Sequence, residues 1–237
     1  MLFLGVDFET TGLSMENDRI TEVGAVLWDT DRKAPLKVLS QYVYDKDYPE
    51  LTPEITQLTG ITQGDLLKYG RLPGQVLPEL ISLMDEADFV VAHNGTNFDR
   101  PMLEAHMQRL GIMYKDDVAW IDSSTDVNYP KSISVRKLSY LATEHGFLNP
   151  FPHRALFDVM TMLKIISCYD TNEIVNLSKS PNITIRAHVS YDDRALASGR
   201  GYRWNPENKM WLKTVKELFL ASEIAEAPFK VIIIEER

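Results

Sequence analysis

Asp7 and Glu9 close an otherwise apolar run, Leu2-Phe3-Leu4-Gly5-Val6-Asp7-Phe8-Glu9, which turns at Thr10-Thr11-Gly12. Residues i and i+2 of an extended chain share a face, so the two carboxylates converge while Phe8 packs behind them. Acids held side by side raise each other's proton affinity unless a cation sits between them. Oxygen ligands of this kind suit Mg²⁺ or Mn²⁺. The structural alternative has Glu9 solvating a strand end and Asp7 capping the following turn. A second cluster, His93-Asn94-Gly95-Thr96-Asn97-Phe98-Asp99, puts Asp99 in the first turn of a helix, where the helix dipole favours a carboxylate whatever its role. A third, His153-Arg154-Ala155-Leu156-Phe157-Asp158, sets Asp158 near another helix start, one turn beyond a loop histidine that follows Pro152.

Each cluster alone admits a structural reading; their conjunction, in this order, does not. Together the three resemble the motifs of the DnaQ-like 3′–5′ exonucleases of the DEDDh type, and the resemblance runs from about Leu2 to Tyr169. It implies an RNase H-like mixed sheet flanked by helices, and two divalent ions (Mg²⁺ or Mn²⁺) on Asp7, Glu9, Asp99 and Asp158. It further implies that His153 is the general base, and that Thr10, Thr11, Gly12, Asn94 and Phe98 position the terminal nucleotide. The chemistry agrees with the set. Phosphodiester hydrolysis needs a hydroxide nucleophile, charge stabilisation and relief of the leaving 3′-oxyanion, which a metal pair roughly 3.5–4 Å apart supplies. A histidine, with a reference pKa of about 6.5, is largely neutral near pH 7.5 and can accept the water proton. One departure stands out: family members often carry a histidine where this chain has Leu58-Thr59-Gly60-Ile61, and here Thr59 takes its place. That touches substrate positioning and leaves the catalytic set complete.

The elements that must hold these residues can be read from periodicity. Leu2 to Phe8, Ile20 to Trp28 and Leu36 to Tyr44 read as strands of an antiparallel meander. From Pro53 the period becomes helical, with Ile55, Leu58 and Ile61, then Leu77, Leu80, Ile81 and Met84, on one face. Asp88 to His93 is a further strand. Asn97 to Leu110 is a helix with Asn97 as its N-cap and Pro101 in its first turn, where proline loses no hydrogen bond. Val135 to His145 and Ala155 to Tyr169 read as helices, and the α/β layered domain ends near residue 178. Residues 179–237 read as a small α+β domain in the order strand, helix, strand, strand, helix, strand, a miniature split βαβ unit.

Composition bounds the rest. A chain of 237 residues with formal charge −9 and 44% hydrophobic residues builds a core and belongs to none of the disordered or collagenous classes. No apolar stretch approaches the roughly 20 residues of a membrane span, and the N-terminus reads as a strand and not as a signal peptide. The expectation is a cytoplasmic protein. Cys168 stands alone, which excludes an internal disulfide, and its apolar neighbours favour a packed thiol.

Charge divides the chain. Residues 1–178 hold 15 basic and 26 acidic side chains, net −11, whereas residues 179–237 hold 10 and 8, net +2. Within the tail Arg194, Arg200, Arg203, Lys209, Lys213 and Lys216 face only Glu207 in the intervening sequence, with Tyr202, Trp204 and Trp211 interleaved. Cations that neutralise phosphates and rings that stack on bases fit a nucleic-acid grip. The alternative makes the tryptophans the core of a tiny domain, and docking to a DNA polymerase is a further reading of the tail. Single-stranded DNA is the expected partner, with RNA open, and the oligomeric state is not legible.

Overall fold

Strand β1 (Leu2–Thr10) carries the first motif through the middle of a sheet. The structure, a computed structural model, describes residues 1–112, 118–133 and 135–234. On one side β1 pairs antiparallel with β2 (Ile20–Asp29), which pairs antiparallel with β3 (Ala34–Tyr42), giving the expected meander. On the other side lie β4 (Phe89–Ala92) and β5 (Ala119–Asp122), both parallel, for a sheet order β3-β2-β1-β4-β5. Helices α1 (Pro53–Thr59), α2 (Gln63–Tyr69) and α3 (Pro73–Met84) follow the meander, and α4 (Asp99–Arg109) links β4 to β5. Then come α5 (Leu138–Glu144), α6 (Ala155–Ile166) and α7 (Thr171–Lys179). This is the RNase H-like mixed sheet flanked by helices.

The core joins Leu4, Val6 and Phe8 of β1 to Val23, Ala25 and Leu27 of β2, Val76, Leu77 and Leu80 of α3, and Met102, Leu103 and Met107 of α4. Two glycines admit α6 to the sheet. A β-carbon on Gly5 would stand 2.8 Å from Val159, and one on Gly24 would overlap the backbone of Ala155 and Leu156. Since Gly24 pairs with Asp7, these glycines draw the start of α6, and with it Asp158, to the acidic end of β1. Gly24→Val is expected to force α6 off the sheet. The cost of such overpacking is about 1–3 kcal/mol, at roughly 2–4 °C of melting temperature per kcal/mol for this size. Thermal melting should show the drop, while Gly74→Ala, whose β-carbon meets open space, leaves the midpoint unchanged or higher.

Several details correct the reading of the sequence. The N-cap of α4 is Phe98, not Asn97, so the helix starts at Asp99 itself and Pro101 is its third residue, still in the first turn. The helix expected from Val135 begins only at Leu138, and the one from Ala155 stops at Ile166. Cys168 lies in the turn beyond α6 and is exposed, because the inward positions there belong to Ile165 and Ile166.

The chain divides into two compact units, Met1–Ile174 and Val175–Arg237. In the second, β6 (Asn182–His188), α8 (Arg194–Gly199), β7 (Arg203–Asn205), β8 (Met210–Lys216), α9 (Glu217–Glu226) and β9 (Lys230–Ile233) follow the expected order. The sheet runs β7-β8-β6-β9 with every pairing antiparallel, as in a split βαβ unit. Its core is built on Ile185, Ala187, Ala197 and Tyr202. Of the aromatics only Tyr202 is fully buried; Trp204 is 49% exposed, and Trp211 packs against the core from its edge. The last three residues of the expected second domain, 235–237, lie outside the described residues. No helix among the described residues is long and apolar enough to cross a membrane.

Candidate active site

Strand β1 delivers Asp7 and Glu9 to one face of its C-terminal end, as their spacing predicts. Asp99, the first residue of α4, and Asp158, in the first turn of α6, meet them there. All four carboxylates, with His93, Asn94, Phe98 and His153, line a cleft of about 530 Å³. An adjoining cleft of about 750 Å³ shares Asp7, His93, Asn94, His153 and Asp158 and extends to Arg136 and Lys137. Three motifs separated by dozens of residues thus converge on one place.

Each side chain is held by a specific device. Asp158 accepts the Asn149 side-chain amide at 2.5 Å and the His153 backbone N–H at 2.9 Å. The second of these fixes His153 in the left-handed region, at φ 61°. Asn94 occupies the same region at φ 64°, its N–H donating to buried Asp122 at 2.9 Å. Non-glycine residues adopt this conformation at some cost and concentrate at functional sites. Below the His153 turn, buried Glu22 accepts Arg154 Nη2 at 2.9 Å and the Ala155 N–H at 3.0 Å, and Arg154 also donates to the Tyr42 hydroxyl. That pair ties the third motif to β2. On α4, His106 Nε2 accepts the Ile20 N–H at 3.0 Å, which places its proton on Nδ1, facing the Met102 carbonyl. Burial holds this imidazole down to a pKa of about 4, and the ring anchors the helix that presents Asp99.

The Thr10 to Gly12 turn is organised from within. The Thr10 hydroxyl donates to the Gly12 carbonyl and the Thr11 hydroxyl to Asp18. Asp18 also fills the space beside Gly12 that a β-carbon would need. The threonine hydroxyls are therefore spent on the loop, which leaves Leu13, 80% exposed, at the cleft rim. Phe98 is half-buried in the cleft wall. Thr59 donates to the Ile55 carbonyl, accepts the Ile61 N–H and lines the same cleft.

Electrostatics mark the place. Burial raises Glu9 to a pKa of about 8, with Asp158, Glu22 and Asp99 adding repulsion and Arg154 opposing it. Burial likewise lifts Asp7 well above the carboxylate range, reinforced by Asp99, Glu9 and Asp158. Asp99 rises to about 7 and Asp158 to about 6, each chiefly through burial. A carboxylate whose proton affinity is raised by folding binds more protons folded than unfolded, so stability falls as pH rises through the interval. In EDTA the melting temperature should therefore fall by several degrees between pH 5.5 and 8. A divalent cation should restore more at pH 8 than at pH 5.5; a flat or rising EDTA curve would contradict the cluster's charge.

The donors suit such an ion. Asp99 Oδ1 is buried without a hydrogen-bond partner among the described residues, and Glu9, His153 and Asp158 offer ligand atoms within 4.8 Å of one another. Hard carboxylate oxygens favour Mg²⁺ or Mn²⁺ over softer metals.

Sequence reasoning passed over Glu22, Asn149, Asp122 and Asp18. Only Glu22 left a signal, a carboxylate inside the apolar run Ile20 to Trp28.

Comparison with known proteins places this geometry. Residues 4–166 match a family model described as "Exonuclease", and residues 183–234 match a domain of unknown function. A DNA polymerase III PolC-type protein of Thermotoga petrophila is 30% identical over 200 residues, 77% of this chain and 14% of that protein. A DNA polymerase III subunit epsilon of Treponema pallidum is 34% identical over 106 residues, 44% of this chain and 46% of that protein. The matches thus span about a seventh of the PolC-type protein and just under half of the epsilon subunit. Among solved structures, the nuclease domain of 3′hExo, titled a DEDDh family member bound to rAMP, aligns with TM-score 0.59 at 23% identity, covering 70% of this chain and 90% of that one. An E. coli ExoI–ssDNA complex aligns with TM-score 0.66 at 17% identity, covering 99% of this chain and 63% of that one. With its model match spanning most of the sequence, the chain belongs to the exonuclease family.

Proposed function

We propose that the protein is a metal-dependent 3′–5′ exonuclease that releases nucleoside 5′-monophosphates from single-stranded or frayed 3′ ends, with DNA the favoured substrate. The observation that carries this reading is the convergence of four carboxylates, one with an orphaned buried oxygen, in one open cleft. Residues 1–178 serve as the exonuclease domain and residues 179–237 as a separate domain, in a protein acting in the cytoplasm.

Asp7, Glu9, Asp99 and Asp158 would hold two divalent ions, Mg²⁺ or Mn²⁺. When bound, such ions activate the attacking water and stabilise charge on the phosphate and the leaving oxygen. The chain's own residues do the rest. The turn at Asn94 offers an exposed amide side chain to the terminal nucleotide, and Thr10 to Gly12 with Phe98 wall its seat. His153 stands beside the Glu9 and Asp158 carboxylates, where its imidazole takes the proton of the attacking water. The Asn149 and backbone contacts to Asp158 hold that carboxylate in place and keep it ionised against the pull of burial.

The relatives' names favour a second reading, a proofreading or accessory subunit that binds within a DNA replication complex. Co-purification with a DNA polymerase separates the two, and a purified chain that degrades oligonucleotides unaided supports the first.

A further inference from the structure

The second unit contains a cavity of about 510 Å³ lined by Arg186, Tyr191, Arg194, Trp204, Lys209 and Trp211, among others, and among the described residues no carboxylate lies in its wall. Its aromatic floor follows from the sheet register. Trp204 on β7 sits opposite Trp211 on β8, which sits opposite Ala187 on β6, so one row of side chains crosses three strands on one face. The indole rings lie 5.8 Å apart at 58°, and the outer one is 49% exposed. At the rim the Arg194 guanidinium lies 3.9 Å from the centre of the Tyr191 ring, which is itself 78% exposed. Rings open to solvent and cations thus share one concave surface.

Three other basic residues of this unit are used differently. Arg200 and Lys213 both pair with Glu223, and Lys216 is buried with its ammonium on the Ser180 carbonyl. These three, expected from the sequence as nucleic-acid contacts, instead brace the fold around α9, whose acids lie outside the run that made them look unopposed. Arg203 is exposed but does not line the cavity. Arg194 and Lys209 do line it, together with Arg186, which sequence reasoning passed over. Arg186 Nε is buried without a hydrogen-bond partner among the described residues. Asp192 and Asp193 are near in sequence, but Asp193 accepts the Ser190 hydroxyl and neither acid lines the cavity.

From this arrangement we infer that the cavity is a binding site for single-stranded nucleic acid, stacking a base on Trp204 and Trp211 while Arg186, Arg194 and Lys209 meet the flanking phosphates. The aromatic faces read no sequence, since every base has a π-face. Its use rests on the exonuclease reading: a strand held on the same chain stays at high local concentration for hydrolysis.

The test uses the full chain in EDTA with fluorescein-labelled dT15, so that binding is measured without cleavage. Trp204→Ala is expected to weaken binding about tenfold, within the range for loss of one stacked base. Arg194→Gln and Lys209→Gln should each lower the salt slope by about 0.7. Hydrolysis of thymidine 5′-p-nitrophenyl phosphate, which reads the catalytic cleft alone, should stay within twofold of the parent in all three. Trp204 is half exposed, so its loss does not threaten the core; a matching melting curve verifies this. Unchanged affinity and slope in the three variants would overturn the site, as would equal affinity for an abasic oligonucleotide. Failure of the small diester to be hydrolysed by any form would instead sink the exonuclease reading and leave the binding result standing.

Discussion

Asp7→Ala and Asp158→Ala are each expected to abolish cleavage while the domain stays folded. Asp7 lies within a nine-residue strand paired on both sides, and that strand enters the core through Leu4, Val6 and Phe8. Asp158 lies in the first turn of a helix whose packing runs through Val159, Met162 and Leu163. Neither carboxylate is needed for burial, and both carry proton affinities raised by folding. Activity should drop at least about 10³-fold, the upper range for loss of one preorganised charge contact. A second readout separates this from damage. Asp7→Asn removes a charge that Asp99, Glu9, Asp158 and Glu22 all repel, so in EDTA at pH 8 the variant should melt higher than the parent. A folded variant with substantial metal-dependent turnover would dismiss the carboxylate assignment.

His153→Asn should lower the rate by about 10²–10⁴-fold, the usual contribution of a general base, and leave oligonucleotide affinity in EDTA near that of the parent. Asparagine is the appropriate replacement because the backbone there sits at φ 61°, a region that asparagine tolerates and alanine resists. The His153 N–H to Asp158 is a backbone contact and survives the change. If the rate stays within a few-fold of the parent, another group accepts the proton.

The two halves of the molecule were unequally legible. In the catalytic unit the strand period placed Asp7 and Glu9 together, and the apolar stripe of α4 led back to Asp99. The supports were hidden because they act across the chain: Glu22 meets Arg154 at a separation of 132 residues, and Asp122 meets Asn94 at 28. A short strand such as β5, four residues of which two are buried, has too little pattern to read. In the second unit the order of elements was visible from alternation and turns. The fate of its cations was not, since Glu223 reaches Arg200 from α9, a helix that folds back from 23 residues away. Counting charges within a sequence window treats as free what tertiary structure pairs.

The most direct measurement of the central claim incubates the purified chain with 3′- and 5′-labelled single-stranded DNA and RNA oligonucleotides in Mg²⁺, Mn²⁺ or EDTA. The account predicts release of labelled nucleoside 5′-monophosphate from the 3′-labelled DNA at the earliest times, a shortening ladder from the 5′-labelled strand, and no product in EDTA. Product in EDTA, release beginning at the 5′ end, or no cleavage of either polymer with either metal would contradict it.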